Sequence, residues 1–325
     1  MNKINQKIIT IGGGTGSFTL LSGLKSYPIE LSAIVSMADD GGSTGVLCDE
    51  LGVLPPGDVR QCLVALSESS QMLRELFNYR YYNGSLAGHN FGNIFLSTLE
   101  KTSGSFDKAI KEASKVLRIR GRVVPVTLMN IKLVAVLNSG KKIIGQHNID
   151  EADLTNLKRL KLKPKAIVNP EAVAAIKKAD KIIINPGNLF CSIIPNLLAD
   201  GFSQAIKQTK GKVIYICNLM TKLGQTTNFS VIDYIKTIEN YLGKDIIKIV
   251  IYNKEHPDEK LIKRYNRKGE HFVKSGDLSR RPKIKFIAKN ILSHKIYQQT
   301  KGDRIERTLI RHDSDKIAKI IYNLS

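Results

Sequence analysis

Residues 7–24 read KIITIGGGTGSFTLLSGL and contain the pattern from which the fold is predicted. Lys7–Ile11 is a short β-branched run that ends in glycines, which indicates a buried strand. Ser17–Leu24 spaces its apolar residues as a helix does, and Leu31–Met37 is a second short apolar run. A strand, a glycine-rich turn, a helix and a second strand form a βαβ unit, so we expect an α/β protein with a parallel sheet.

The same alternation of strands and helices returns in the second half of the chain. Further strands are predicted at Lys181–Ile184, Val213–Cys217 and Ile246–Tyr252. Between the halves, an Asn-Ser-Gly-Lys turn at residues 138–141 predicts a β-hairpin, so we expect a small antiparallel insertion at about residues 121–150. We therefore predict one core domain over residues 1–252.

The end of the chain differs from this core in composition. Residues 254–311 contain 17 basic and 7 acidic side chains and show little periodicity. A last helix is predicted at Asp313–Tyr322, because its isoleucines fall on one face. We expect residues 253–325 to form a basic C-terminal subdomain whose final helix packs back on the core.

Charge indicates the class of partner. The 325 residues include 50 Lys and Arg against 29 Asp and Glu, a net charge of +21. Residues 1–160 contribute +4 and residues 161–325 contribute +17. Such an excess favours anionic partners such as nucleotides, nucleic acid, acidic lipid or acidic protein, although a Lys-rich surface alone has the same composition. No RRM, KH or helix-turn-helix signature is present, so nucleic acid is not the predicted partner.

The cysteines and the apolar runs indicate the compartment. Cys48, Cys62, Cys191 and Cys217 form no C-x-x-C pair, which excludes zinc ribbons and thioredoxin-type redox motifs. Scattered cysteines in a chain of this size indicate a reducing compartment. No apolar run has the length of a signal peptide or of a membrane span. We expect a cytoplasmic protein without membrane insertion.

The glycine-rich turn of the first βαβ unit is the first candidate site. Such a turn lets backbone N–H groups approach a phosphate, and the following helix N-terminus adds a positive dipole. The predicted ligand contacts are Gly13, Gly14, Thr15 and Gly16. Ser17 stands where a dinucleotide fingerprint has its third glycine, and no Gly-Lys-Ser/Thr follows, which excludes a P-loop. A tight turn without a ligand is the alternative.

A second polar loop, ADDGGSTG at residues 38–45, follows the second strand. Its two aspartates stand about 25 residues after the glycine turn, where a carboxylate can accept hydrogen bonds from ribose hydroxyls. They could instead hold Mg²⁺ together with a ligand's phosphates, and the next three residues resemble an anion-binding nest. The candidates in this loop are Asp39, Asp40, Gly41, Gly42 and Ser43. Two glycine loops at neighbouring strand ends favour a phosphate or sugar crevice, and a structural double turn is the alternative.

Two further turns carry residues suited to an anion. In LPPGDVR, Asp58 is predicted to be a helix N-cap, and Arg60 lies where it could clamp an anion from the first turn of that helix. In NPGN, which follows the strand ending at Ile184, Gly187 and Asn188 form a turn that opens a helix. An ordinary turn is the alternative in both places.

The segment GHNFGN at residues 88–93 precedes an apolar helix and is rich in hydrogen-bonding side chains. His89, Asn90 and Asn93 are therefore candidates for contacts with the polar edges of a ligand. A structural histidine is the alternative for His89.

These segments together resemble one family. The motifs are GGGTG at 12–16, ADDGGSTG at 38–45, LPPGDVR at 54–60, GHNFGN at 88–93, SIIPNLL at 192–198, YICNLMT at 215–221 and LIRHD at 309–313. In this order they resemble the YvcK/CofD-like family over essentially the whole chain. GHNFGN is similar to the YvcK branch, because the CofD branch of phospholactate transferases typically has an acidic GD-x-D-L-type segment there. The chain departs from the family's usual GPGSL turn with Asn185-Pro-Gly-Asn188-Leu.

The resemblance implies a Rossmann-like parallel sheet with helices on both faces and an added subdomain. It also implies a regulatory protein that binds UDP-sugars, notably UDP-N-acetylglucosamine, so no catalytic residue and no resident metal is expected. The implied role lies in cell shape, cell-wall precursor supply and growth on gluconeogenic carbon, with a protein partner in cell-wall metabolism and a homo-oligomer as further expectations. A CofD-type transferase of a phosphorylated group is the main alternative. An NAD-dependent oxidoreductase is the other, and the missing third glycine argues against it.

The basic C-terminal stretch supplies the last candidates. A uracil needs a stacking face, and arginine can bind phosphate oxygens at two points. Tyr265 stands among arginines, and Arg311 precedes the last helix, where Asp313 can be the N-cap. We therefore predict that Tyr265 and Arg311 fold over the crevice and contact the UDP moiety, a surface aromatic and a helix-flanking charge being the alternative. Ser314 is a candidate phosphorylation site.

Overall fold

The computed structural model of the chain describes residues 6–294 and 309–324. The strands are β1 (Lys7–Gly12), β2 (Glu30–Val35), β3 (Arg122–Pro125), β4 (Lys132–Leu137), β5 (Lys142–Ile144), β6 (Leu157–Lys163), β7 (Lys181–Ile184), β8 (Lys212–Ile216), β9 (Ile249–Asn253) and β10 (Lys285–Lys289). The helices are α1 (Gly14–Leu24), α2 (Gly42–Leu51), α3 (Gly57–Leu66), α4 (Gln71–Asn78), α5 (Phe91–Ser103), α6 (Phe106–Val116), α7 (Gln146–Glu151), α8 (Pro170–Lys178), α9 (Ile194–Leu197), α10 (Phe202–Gln208), α11 (Val231–Leu242), α12 (Glu259–Asn266) and α13 (Ser314–Asn323). A π-helical turn at Leu189–Ile193 precedes α9, and a 3₁₀ turn covers Leu278–Arg280.

The main sheet is parallel, with the strand order β10-β9-β8-β7-β1-β2-β3. From its centre the chain runs to one edge through β2 and β3, and to the other edge through β8, β9 and β10. Because parallel crossovers are right-handed, these opposite directions place helices on both faces of the sheet. The predicted α/β class and the Rossmann-like parallel sheet are confirmed.

The small antiparallel sheet has the order β5-β4-β6, and its position corrects the predicted boundaries of 121–150. Val123–Thr127, predicted as part of the insertion, overlaps β3, which pairs in parallel with β2 as an edge of the main sheet. Its continuous run of buried apolar residues is typical of a parallel strand. The predicted hairpin turn at 138–141 joins β4 to β5, and the third strand, β6, went unpredicted because charged residues interrupt its apolar pattern.

The basic C-terminal residues are joined to the rest of the protein at two places. β10 adds a parallel strand to β9, and α13 packs on α1. The contact with α1 is close, since a methyl group on Gly23 would lie 2.3 Å from the Ser314 carbonyl oxygen. Buried Lys181 of β7 donates to the Ile321 carbonyl at the end of α13, over 2.8 Å. The domain boundary at residue 252 stays a prediction.

Among the described residues, no helix is both long enough and apolar enough to cross a membrane.

Candidate ligand site at the centre of the sheet

β1 lies at the centre of the main sheet, between β2 and β7. The chain leaves β1 and β7 in opposite directions, so the strand order reverses between them. In open α/β sheets, ligands bind at such a switch point, outside the carboxyl ends of the strands. We call the space outside the carboxyl ends of β1, β2 and β7, which the loops at residues 12–16, 38–45 and 185–188 surround, the central crevice.

Glycine lets the loop at residues 12–16 pack against the loop at residues 185–188. A methyl group on Gly16 would lie 1.7 Å from the Pro186 carbonyl oxygen, so position 16 excludes any side chain. Across the crevice, the Asn185 amide donates to the Ser17 hydroxyl over 2.8 Å. Thr15 is exposed and its hydroxyl lies 3.4 Å from Gln61 Oε1. The structure therefore brings the predicted glycine turn and the predicted NPGN turn together.

Asp58 occupies the N-terminus of α1. The prediction that Asp58 is the N-cap of its own helix is wrong, because α3 begins at Gly57 and Pro56 is the N-cap. Its carboxylate instead reaches across to accept the Gly14 backbone N–H and lies beside Gly13. A carboxylate thus already sits where the sequence predicted a phosphate, since helix N-termini attract anions.

Asp39 completes a pair of carboxylates with Asp58. Its Oδ1 accepts the Gly41 N–H at 3.2 Å, and its other oxygen lies beside Gly57 and the Thr44 hydroxyl. Burial raises the pKa of Asp39, and the Thr44 hydroxyl, the Gly41 N–H and the Arg60 charge partly oppose the rise. Burial and the charge of Asp39 raise the pKa of Asp58 as well. The crevice therefore holds two carboxylates whose negative charge is poorly compensated.

Asp40 has a different role from its neighbour. Its Oδ2 accepts the Gln146 N–H at 3.0 Å and its Oδ1 accepts the His147 N–H at 2.8 Å. These are first-turn amides of α7, so Asp40 caps a helix that packs on the small sheet. Both Asp40 oxygens therefore hold α7, and the predicted Mg²⁺ site at Asp39 and Asp40 stays a prediction.

Arg60 lies beneath the crevice and is only 7% exposed. Its guanidinium donates to Asn93 Oδ1 at 2.9 Å, to Asn78 Oδ1 at 2.7 Å and to the Phe77 carbonyl at 3.3 Å. These bonds hold α3, α4 and α5 together. A direct clamp on a phosphate would require Arg60 to exchange them, so the structure favours a positioning role.

Ser43 links the second glycine loop to the GHNFGN segment. Its hydroxyl accepts the Asn90 N–H at 3.2 Å and lies 3.4 Å from both Asn93 Nδ2 and His89 Nδ1. Asn90 is also the N-cap of α5, since its side chain accepts the Asn93 N–H. Both asparagines are buried and hold the loop, whereas His89 is partly exposed at its rim.

The second glycine loop, at residues 38–45, contains the start of α2. Gly41 is the N-cap and Gly42 is the first helical residue, and no described side chain caps this helix. A methyl group on Gly41 would meet no atom closer than 3.7 Å. Gly42 is exposed at this helix start, whereas the Gly41 N–H already donates to Asp39 and Ser43 is buried.

The turn after β7 is held by its own side chains. Asn188 Oδ1 accepts the N–H groups of Phe190 and Cys191 at 3.0 Å, and its amide donates to Asp150 and Gln225. Gly187 exchanges hydrogen bonds with the Asn218 side chain, which follows β8; these bonds measure 3.4 and 2.7 Å. Asn188 is therefore a structural cap, and the backbone of Gly187 faces the neighbouring strand end.

A family model named 2-phospho-L-lactate transferase CofD matches residues 8–292. The chain belongs to the CofD family. It is 36% identical to the gluconeogenesis factor of Bacillus subtilis over 98% of both chains. It is 42% identical to the gluconeogenesis factor of Halalkalibacterium halodurans, over 77% of this chain and 78% of that one. A crystal structure of a UPF0052-family protein from Bacillus halodurans aligns with a TM-score of 0.90 and 35% identity, covering 99% of this chain and all of the other. The resemblance to the YvcK/CofD-like family is confirmed.

Tyr265, predicted to contact the UDP moiety, instead packs against other residues of the protein. It is 8% exposed in a small apolar cluster with Leu219, Leu292 and Ile310. Its hydroxyl accepts the Leu309 N–H at 2.8 Å. Stacking of Tyr265 on a uracil is therefore disfavoured, because its ring already contacts protein.

Arg311 lies in the segment that returns to the carboxyl end of β8. Its carbonyl accepts the Ser293 N–H at 2.9 Å, and the adjacent His312 Nε2 lies 3.1 Å from the Cys217 carbonyl. A contact of Arg311 with a ligand stays a prediction. Asp313 is the N-cap of α13, as predicted, and phosphorylation of Ser314 also stays a prediction.

Sequence reasoning missed three residues that flank the crevice. Asp58 was interpreted as a cap, and Gln61 and Ser192 were not singled out. A methyl group on Gly14 would lie 2.3 Å from Gln61 Nε2, and one on Gly13 would lie 2.9 Å from Ser192 Oγ. One available signal was the spacing of Asp58 and Gln61, which places both on the first turn of one helix.

No group of three or more His, Cys, Asp or Glu within residues 6–294 and 309–324 is arranged to hold a metal ion. The pair Asp39 and Asp58 supplies two carboxylates at most, so a cation there would need oxygens from a ligand.

Proposed function

We propose that the chain binds a UDP-sugar of the UDP-N-acetylglucosamine type in the central crevice. It acts as a cytoplasmic regulatory protein that responds to the level of this ligand, and it supports cell shape and cell-wall precursor supply on gluconeogenic carbon. The relatives named gluconeogenesis factors support the part of this role that concerns gluconeogenic carbon.

The observation that carries the proposal is the crevice itself. The glycine turn at residues 12–16 and the turn at residues 185–188 meet at the switch point of a parallel sheet, and glycine at position 16 is required for their approach. The uncapped start of α2 at exposed Gly42 presents a backbone amide suited to a diphosphate oxygen, whereas Asp58 occupies the start of α1. The buried Ser43, Asn90 and Asn93 hold the loop in this conformation.

The carboxylate pair adds a condition on how a diphosphate binds. A diphosphate beside Asp39 and Asp58 would add negative charge where burial already disfavours the ionised carboxylates. Mg²⁺ held by Asp39 and Asp58 would neutralise this charge, since magnesium commonly joins one or two carboxylates to ligand phosphates. We therefore propose Asp39 with Asp58, in place of Asp39 with Asp40, as the magnesium-binding pair.

Titration calorimetry with UDP-N-acetylglucosamine, in the presence and absence of Mg²⁺, tests the proposal. We expect binding that strengthens with Mg²⁺, and an affinity at least about tenfold lower in Asp39→Asn, as a lost charged contact implies. Asp153→Asn, an exposed aspartate on the loop before β6, is the matched control and should bind as wild type. Equal affinities in wild type and Asp39→Asn would refute the site.

The second candidate is a CofD-type transferase, which the family match favours. Two carboxylates and a bound Mg²⁺ could orient a phosphorylated group and stabilise charge during its transfer. Phosphorus NMR of the protein incubated with UDP-N-acetylglucosamine and Mg²⁺ separates the two candidates. A regulator leaves the ligand intact, whereas UMP with N-acetylglucosamine 1-phosphate, or UDP with N-acetylglucosamine, formed in proportion to protein concentration would establish an enzyme that uses water as the acceptor.

A further inference from the structure

Among the described residues, β10 is the edge strand of the main sheet on the side farthest from β3. β10 pairs with β9, and the described residues place no strand along its other side. The Lys285 N–H donates to β9 and the Lys289 carbonyl accepts from Lys254, so alternate residues of β10 face β9. The amides of Phe286 and Ala288 therefore point to the open side. An unpaired edge of this kind is a template for another strand.

A groove of about 660 Å³ runs beside this edge, between β10 and α13. We call it the β10 groove. Ile287 of β10, Ile320 of α13 and Leu324 form its apolar floor, and each is half-buried. The alternation of β10 turns Ile287 and Lys289 toward α13, which explains why strand and helix share one groove.

Four lysines surround this apolar floor: Lys254, Lys289, Lys316 and Lys319. Lys316 donates to the Leu292 carbonyl at 3.0 Å, which holds its ammonium group beside the groove. Within the described part of the chain, no carboxylate forms an ion pair with any of the four. Ammonium groups around an apolar surface attract a ligand that is both acidic and apolar.

The chemistry of the groove selects among anionic partners. The described residues that line it include no aromatic ring and no arginine, whereas single-stranded nucleic acid is bound by base stacking and arginine contacts. A second copy of the chain would bring a net charge of +21 to a positive surface. An acidic extended peptide satisfies the open backbone, the apolar floor and the lysines together.

We propose that the β10 groove docks an extended acidic segment of a partner protein, which adds a strand to the open edge of β10. Backbone hydrogen bonds to Phe286 and Ala288 supply affinity, as in other cases of strand addition. Alternate apolar side chains of the segment contact Ile287, Ile320 and Leu324, and its carboxylates meet the four lysines.

A synthetic peptide tests the geometry without a known partner. The probe is a fluorescein-labelled ten-residue peptide in which glutamate alternates with valine, measured by fluorescence anisotropy on the full chain at physiological salt. One control peptide has the same residues in two blocks, and another has N-methyl groups on every backbone nitrogen, so that neither edge of the extended peptide can donate. We expect both controls to bind at least about tenfold more weakly, because one loses the alternation and the other loses the edge hydrogen bonds.

Protein variants test the position. The double variant Lys289→Glu with Lys319→Glu should bind the probe peptide at least about tenfold more weakly than wild type does. The matched control, Lys177→Glu with Lys178→Glu, makes the same change of net charge at exposed positions on α8 and should change affinity less than about twofold. Ala288→Pro removes an N–H from the open side and spares the bonds to β9, so it should weaken the probe while the melting temperature stays near wild type.

Three results would overturn the proposal. Equal loss in the two charge-reversal pairs would show non-specific attraction by the whole molecule. Unchanged binding of the N-methylated peptide would exclude strand addition, whether or not Ala288→Pro folds. Binding of phosphatidylserine vesicles or of an oligonucleotide that needs Lys289 and Lys319, with no binding of the alternating peptide, would assign the groove to another class of partner.

Discussion

Asp58 lies at the start of α1, where burial and the neighbouring Asp39 raise the pKa of its carboxyl group to about 8. A raised pKa means that the folded protein binds this proton more tightly than the unfolded chain does. The stability of the fold therefore falls as pH rises from the ordinary aspartate value towards the raised one. The carboxylate is retained at a cost in stability, which is typical of a residue kept for ligand binding.

Asp58→Asn removes this cost while keeping an oxygen for the Gly14 N–H. We expect the variant to be more stable than wild type at pH 7, by about 1–2 kcal/mol, and equal to it near pH 3.5, where the aspartate of the unfolded chain is also protonated. Urea unfolding between pH 3.5 and 8 measures the difference. The carboxylate of wild-type Asp153 has a lowered pKa, so Asp153→Asn should instead lose stability at pH 7. A destabilised Asp58→Asn at pH 7 would contradict the argument.

Gly16 tests the packing of the loop at residues 12–16 against the loop at residues 185–188, and Gly41 in the loop at residues 38–45 is the control. A methyl group at position 16 collides with the Pro186 backbone, whereas at position 41 it meets no atom closer than 3.7 Å and has a φ of −88° that alanine adopts readily. We expect Gly16→Ala to lose about 3 kcal/mol and Gly41→Ala less than about 1 kcal/mol. Thermal unfolding of both variants measures this. Similar stabilities for the two would show that the loops do not touch as described.

At the scale of elements, Asp40 joins the second glycine loop to the small antiparallel sheet through α7. Asp40→Ala removes acceptors from two backbone amides of α7, so we expect a loss of about 1–2 kcal/mol and faster hydrogen exchange in that helix. The matched control is Asp258→Ala, which removes the N-cap of α12 in the same way. Both should lose stability, and only Asp40→Ala should loosen α7. Unchanged exchange in α7 would show that the cap is not needed there.

For the whole molecule, the main sheet is built from residues far apart in sequence. β10 completes one edge, and α13 packs on α1 at the other end of the chain. Because these contacts cross residue 252, we expect one cooperative unfolding transition, with equal calorimetric and van't Hoff enthalpies. A fragment of residues 1–252 should not fold, since it lacks α13 and exposes β9. Two separate transitions, or a folded fragment, would support an independent C-terminal subdomain.

The sequence by itself determined the elements whose signals are local. The apolar run of Lys7–Ile11, the glycines after it and the apolar run from Leu31 predict a parallel sheet with a crevice at its strand ends. The strands predicted at 181–184 and 213–217 agree with β7 and β8. Such signals depend on neighbours in the chain, so they are present before folding.

Only the tertiary structure decided the partners of the polar side chains. Asp40 caps a helix 106 residues later, Asp58 reaches another helix, and Tyr265 is buried beneath Leu309. β3 likewise belongs to the main sheet because it lies against β2, a contact that its own four residues do not encode. The physical reason is that a side chain pairs with whatever the sheet brings to the same edge, and that placement depends on the packing of the whole chain.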